Sequence, residues 1–233
     1  MDGSKTKSAL QSRSGQPPRV LVLFYSFSGQ TRGLLARLIA SLEEHGVTVH
    51  TERLNPKQQL RFPIGTVSAT LRMMLVTLFR KSMEIEPLDE ACHAEYDLIV
   101  LAGPTWSYNP SGPVLGLLRQ YDRIFFAGKT VLPLISCRGY WRAHWLGLRH
   151  LLRQRGASVP NVIVFSHPVK EPWRTVGVFL KLAGKVPERL LGDHYPRYGH
   201  SREQQEQAFH FGRQIADALL HHQPLETLPF PPC

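Results

Sequence analysis

Arg19-Val20-Leu21-Val22-Leu23-Phe24-Tyr25-Ser26-Phe27-Ser28-Gly29-Gln30-Thr31 holds most of the fold information in this chain. Val20 to Tyr25 is a near-continuous apolar run, with the β-branched and aromatic content of a strand buried on both faces. It breaks into a hydroxyl-rich turn, Ser26 to Thr31, and a helical pattern follows through Leu34, Leu35, Leu38, Ile39 and Leu42. Strand, turn and helix in that order gather backbone N–H groups and hydroxyls at a helix N-terminus. Such an end attracts an anion, because its first N–H groups lack partners and the helix dipole is positive there. An ordinary capped βα turn uses the same residue types, so on the turn alone both readings stay open.

The turn carries no Lys or Arg before Arg32, and neither G-x-x-x-x-G-K-[ST] nor G-x-G-x-x-G occurs in it. That argues against a nucleoside triphosphate and for a phosphate monoester held by hydroxyls and backbone amides. The turn resembles the phosphate loop of the flavodoxin-like FMN proteins, Ser/Thr-x-Ser/Thr-Gly-x-Thr, which Ser26, Ser28, Gly29 and Thr31 match position by position.

With 233 residues, 42% of them apolar, the chain can bury one substantial core. Its three cysteines, Cys92, Cys137 and Cys233, show neither disulfide nor zinc spacing, and no metal site is expected. The N-terminus lacks the apolar core of a signal peptide and no run is long enough to span a bilayer, so a cytoplasmic location is expected. The net charge of +10 is opposite in sign to that of the small flavodoxin carriers the turn resembles. A basic surface suits an anionic partner: NAD(P)H, an acidic protein, a lipid surface or nucleic acid. No nucleic-acid recognition module accompanies the charge, so nucleic acid is not expected.

Residues 1–18 read as a disordered tail, residues 19–222 as one domain with insertions at about 55–94 and 168–196, and residues 223–233 as a peripheral C-terminal tail. Further strands are read at Val47–Thr51, Tyr96–Gly103, Thr130–Ile135 and Val162–Phe165, with helices between them. This alternation argues for βαβ units and a parallel sheet. The expected fold class is α/β, a flavodoxin-like three-layer sandwich whose five-stranded parallel sheet runs 2-1-3-4-5, with two helical insertions. The first insertion carries an apolar, basic helix from Val67 to Met83, expected to pack within the fold before a subunit contact or a lipid surface.

In a 2-1-3-4-5 sheet the ligand crevice lies beyond the carboxyl ends of the first and third strands. Three loops border it. Ser26, Ser28, Gly29, Gln30 and Thr31 would hold the phosphate. Pro104, Thr105, Trp106, Tyr108 and Asn109 form the second group, and Ser136, Cys137, Arg138, Gly139 and Tyr140 the third, with Trp141 beside it. Their flat side chains suit stacking on an isoalloxazine ring, and backbone groups near Thr105 and Ser136–Gly139 could reach its edge. The resemblance carries over to Trp106 and Tyr140 first. A second resemblance covers more of the chain, to the flavodoxin-like group labelled dialkylresorcinol condensing enzymes. It rests on Tyr25, Ser28, Gly29, Gln30 and Thr31, on Trp106, Pro110 and Ser111, and on Cys137, Arg138 and Trp141. Condensation calls for an activated nucleophile; Cys137 is the one candidate, with no histidine visibly paired, and is expected to be a small apolar strand-end residue.

From Arg123 to Lys170 there is no Asp or Glu. Arg138 and Arg142 stand beside the third loop, where they could take the phosphates of NAD(P)H; Arg149, Arg153 and Arg155 read as a solvated face. The two insertions would roof the crevice for a quinone-like acceptor, form a homodimer contact or extend the core. Together these features imply an FMN-dependent oxidoreductase taking hydride from NAD(P)H and reducing a quinone-like or other aromatic acceptor, with a peripheral membrane or acidic-protein contact. No general acid or base is evident. The alternatives are an electron-transfer flavodoxin and an interaction module without cofactor.

Overall fold

The structure, a computed structural model, describes residues 16–233. The expected N-terminal tail falls outside that range except for its last residues, and the carbonyl of Pro18 already accepts the N–H of Thr48 at 2.8 Å. The sheet is built from β1 (Arg19–Phe24), β2 (Thr48–Arg53), β3 (Leu98–Trp106), β5 (Val131–Cys137) and β6 (Ile163–Ser166), with β4 (Asn109–Pro110) as a short arm on β3. The parallel strands run β2-β1-β3-β5-β6. In chain order of the parallel strands this is 2-1-3-4-5, the flavodoxin-like arrangement. Val22 pairs with Thr51 on one side and Val100 on the other, and Leu101 pairs with Pro133.

Side chains alternate across these strands. Leu21, Leu23, Ile99 and Leu101 enter one core beneath α3 (Gly112–Gln120) and α5 (Trp141–Gln154), joined by Leu117, Phe126 and Leu148. Val20, Val22, Leu98 and Val100 enter the other, beneath α1 (Gln30–Glu44) and α8 (Arg202–Leu220), joined by Leu38, Phe211 and Ile215. Helices on both faces of the parallel sheet bury Val20 to Leu23, Leu98 to Gly103 and the whole of β5, which is why these strands read as apolar runs. The α4 turn (Arg123–Phe126) closes the loop before β5. Helix α8 opens on a capping box, in which Ser201 and Gln204 satisfy each other's backbone N–H groups.

The sheet has one strand more than expected. Pro104, Thr105 and Trp106 continue β3, and the chain then folds back through a two-residue turn so that Trp106 pairs with Asn109 in β4. Both turn residues, Ser107 (φ 42°) and Tyr108 (φ 71°), lie in the left-handed region, as the primed hairpin turn requires.

The insertions contain α2 (Val67–Leu78) and, after β6, α6 (Trp173–Leu182) and α7 (Pro187–Leu191). The expectation that α2 packs within the fold is met on one side alone: Thr70 and Thr77 are buried and Met73 and Met74 half-buried, while Val67, Leu71, Leu75 and Leu78 are exposed. The C-terminal segment, in contrast, is not peripheral. Cys233 pairs with β6 through Val164 and Ser166, Asn161 donates to the carbonyls of Leu225 and Leu228, and Phe230 packs on Phe211. Among the described residues, no helix is long and apolar enough to cross a membrane.

Candidate functional site

The carboxyl ends of β1, β3 and β5 open into one crevice, at the point where the strand order reverses. At the end of β1, Gly29 is the N-cap of α1 and takes φ +83°, a conformation that a residue with a Cβ rarely adopts. A Cβ placed there would meet nothing within 4 Å, so the space above the turn is open. The Ser26 hydroxyl accepts the N–H of Arg32 at 3.3 Å, and the Gly29 carbonyl that of Gly33 at 3.0 Å. The N–H groups of Gln30 and Thr31, at the positive end of α1, have no carbonyl one turn earlier in the helix to bond. Ser26 and Thr31 are buried, and the side chains of Ser28 and Gln30 reach the phenol of Tyr198. The donor set is that of an anion site without a fixed cation.

Beside this turn lies a cavity of about 120 Å³. Trp106 forms part of its floor, packed edge-on against Tyr25 (5.6 Å) and Phe27 (5.8 Å). Met73, Met74 and Thr77 of α2 and Val178, Phe179 and Leu182 of α6 roof it. Thr105, Ser136, Cys137, His167 and Tyr198 supply polar lining. Arg138 is the one charged residue in the lining, and no carboxylate lines it among the described residues. A broader cleft of about 1110 Å³ opens at the opposite end of the sheet, around Arg19, Asp97 and Lys129. It lies at the amino ends of the strands, away from the switch point, and begins at Gln16, where the residues outside the described range join the fold.

Three histidines that sequence reasoning missed support the crevice walls. His144 of α5 is buried, with Nδ1 2.7 Å from the Thr105 hydroxyl, and burial pushes its pKa down to about 3. His200 accepts the Ser136 hydroxyl at Nε2 (2.8 Å) and donates from Nδ1 to Gln204 Oε1 (3.1 Å); Gln204 in turn donates to the Ser166 carbonyl (2.6 Å). His167 accepts the Val169 N–H at Nδ1, so Nε2 carries the proton and donates to the Tyr195 hydroxyl at 2.8 Å. Burial holds both rings neutral, with pKa values of about 4, and raises that of Tyr195. The walls are therefore neutral hydrogen-bonded rings at physiological pH. The only sequence signal for them was a histidine just after the fifth parallel strand and another just before the last helix.

Not all of the expected site residues face the crevice. Ser26, Ser28, Gly29, Gln30 and Thr31 come together at the head of α1, and Pro104, Thr105, Trp106, Ser136, Cys137 and Arg138 line or border the cavity. Tyr108 and Tyr140 stand exposed at the rim, with ring centroids 5.3 Å apart and planes at 62°; Gly139 lies under the Arg174 guanidinium. Trp141 is half-buried beneath Arg142. Asn109 does not face the crevice: its amide donates to the carbonyls of Thr77, Leu78 and Ser107 and its Oδ1 accepts from Arg80, so it pins the end of α2. Burial raises the Cys137 thiol pKa, and its side-chain partner is the Ser166 hydroxyl at 3.6 Å; this is an inert strand-end thiol, not an activated nucleophile.

No protein-family model and no curated protein matches the chain. Among solved structures it is similar to a flavoprotein in complex with FMN from Lactobacillus acidophilus NCFM (21% identity, 62% of this chain and 91% of that one, TM-score 0.49). It is also similar to a flavodoxin from the domain Archaea (12% identity, 87% and 99%, TM-score 0.48) and to a Streptococcus pneumonia TIGR4 flavodoxin (12% identity, 88% and 99%, TM-score 0.43). The fold assignment rests on the strand order given above.

Proposed function

We propose that this chain binds FMN non-covalently in the crevice and works as an NAD(P)H-dependent oxidoreductase with a quinone-like or other aromatic acceptor. The observation that carries this reading is the head of α1. A hydroxyl-lined, cation-free anion site, at the switch point of the sheet, opens directly into an apolar cavity walled by neutral rings. That combination suits a phosphate monoester attached to a flat, largely apolar heterocycle. Ser26, Ser28, Gln30 and Thr31, with the N–H groups of α1, would hold the phosphate. Trp106 and Tyr140 would border the ring. Bound FMN supplies hydride acceptance and one- or two-electron transfer.

The chain's own residues bind, orient and exclude water. Arg138 places positive charge at the end of β5, and with Arg142 on the adjoining helix it offers guanidinium forks for nicotinamide-nucleotide phosphates. The His200–Gln204–Ser166 chain fixes the Ser136 hydroxyl, and the Thr105–His144 bond fixes the end of β3. The cavity of about 120 Å³ is below the roughly 300–1,000 Å³ usual for ligand pockets, so admitting the ring requires α2 and α6 to part. The second reading is an electron-transfer flavodoxin, which would use the same flavin site without a site for a nicotinamide nucleotide.

Purified protein separates the readings. A yellow preparation that releases FMN on denaturation, and whose flavin bleaches anaerobically with NADH or NADPH, is the expected result. Bound flavin that neither nucleotide bleaches would favour the carrier. Colourless protein that takes up no added FMN would sink both flavin readings and leave an interaction module. Tyr140→Ala should weaken FMN about two- to tenfold, the loss of one aromatic contact; unchanged affinity would remove Tyr140 from the ring site.

A further inference from the structure

Helix α2 wears its apolar side outwards. Val67, Leu71, Leu75 and Leu78 recur once per turn along one face, and Phe79 extends it; Leu71 is 55% exposed, Leu75 59% and Phe79 76%. On a helix at 100° per residue these positions span one continuous sector. The adjoining sector, turned to the protein, holds Thr70 and Thr77, both buried, with Met73 and Met74 lining the crevice. A helix that merely completes a water-soluble domain has the reverse arrangement. The flanks are as distinctive as the stripe. No Asp or Glu occurs between Arg53 and Met83, whereas Arg72 is exposed on α2 itself and Arg61 and Lys81 are exposed in the segments that flank it.

The geometry points to a docking surface for an anionic lipid bilayer, with α2 lying in the interface plane. Its leucines and Phe79 enter the headgroup–acyl boundary, and Arg61, Arg72 and Lys81 meet the lipid phosphates. A convex apolar ridge edged by cations is complementary in both shape and charge to such a surface. A second copy of the chain is the poorer occupant, because a two-fold contact through this face would set the same cations against one another. Docking would also bring the outside of the crevice roof to the lipid, so that a membrane-dissolved quinone-like acceptor meets the seam between α2 and α6. This last step rests on the flavin reading; the docking itself does not.

The test uses the full chain, with and without added FMN, sedimented with sucrose-loaded phosphatidylcholine vesicles that contain or lack phosphatidylserine. Binding is expected to the anionic vesicles and to weaken as salt is raised. The double variant Leu71→Ser/Leu75→Ser should lose at least tenfold in partitioning while keeping the wild-type circular dichroism and melting temperature, since both side chains are exposed. Arg72→Gln and Lys81→Gln should each cost about fivefold on anionic vesicles only. Wild-type protein that stays in the supernatant with anionic vesicles would overturn the inference, as would undiminished binding of the leucine double variant. A stable dimer in gel filtration, split by the same double variant and indifferent to vesicles, would assign the face to a second copy instead. Colourless protein that binds vesicles would refute the flavin reading alone, and flavin-loaded protein that ignores vesicles would refute this inference alone.

Discussion

The His144–Thr105 contact makes a quantitative prediction about pH. The ring is 1% exposed, bonded at 2.7 Å to the Thr105 hydroxyl, and has a folded-state pKa of about 3 against 6.5 for a free histidine. Well above pH 6.5 the ring is neutral in both states and proton binding does not affect stability. As the pH falls below 6.5 the unfolded chain takes up a proton that the folded chain refuses, so the native state loses stability until the folded ring titrates. Integrating that difference from about pH 8 to about pH 5 gives a loss of about 2 kcal/mol from this one residue. His144→Asn removes the titrating group. The smaller side chain leaves a void and lowers stability at every pH, but the void does not titrate. Urea unfolding followed by tryptophan fluorescence at several pH values should show the wild type losing about 2 kcal/mol more than the variant between those limits. His167 and His200 titrate in both proteins, so they cancel from the comparison. Parallel pH curves for the two proteins would mean that the ring is not held neutral behind Thr105, and the account of this wall would fail.

Other expectations follow from close contacts. A Cβ at Gly177 in α6 would lie 2.1 Å from the ring of Tyr195, so Gly177→Ala should destabilise by about 1–3 kcal/mol as an overpacked core does; an unchanged melting temperature would place α6 elsewhere. Asn109→Ala removes the bonds that hold the end of α2, leaving the carbonyls of Thr77 and Leu78 without that donor and Arg80 without its acceptor. The expected cost is about 1–3 kcal/mol, accompanied by faster amide exchange confined to α2 and its flanks; uniform acceleration across the sheet would refute the local role.

What could be read from the sequence divides along physical lines. The central strands were legible because burial on both faces leaves no polar position in them, and Leu21 to Leu23 or Leu98 to Leu101 can be little else. The phosphate-type turn was legible because its chemistry is local: hydroxyls, Gly29 and the head of α1 all lie within a few residues. The crevice walls were not, because they are assembled from distant parts of the chain. Ser136 meets His200 64 positions away, and Thr105 meets His144 39 positions away. Apolar composition also misled for α2. A leucine-rich helix reads as core in any periodicity count, and only the fold shows that its leucines point away from the sheet. Asn109 reads as a ligand-binding residue of the second crevice loop, yet it is an amide clamp whose partners include Arg80 and Thr77.

The hairpin turn at Ser107 and Tyr108 sets local preference against retained side chains. Both residues hold left-handed backbone angles, which asparagine and glycine adopt far more readily and which cost other residues of order 1–3 kcal/mol each. The hydroxyl of Ser107 is used, bonding the Met74 carbonyl and Thr77 of α2 at 2.9 and 2.8 Å. Tyr108 makes no such bond among the described residues; its contact is the ring of Tyr140 across the rim. The backbone there is frustrated in the strict sense, since the residue most comfortable in the turn would lack the aromatic ring. The mouth of the crevice thus carries an aromatic ring whose backbone conformation a smaller residue would adopt at lower cost, so the rim holds stability in reserve that the fold does not use.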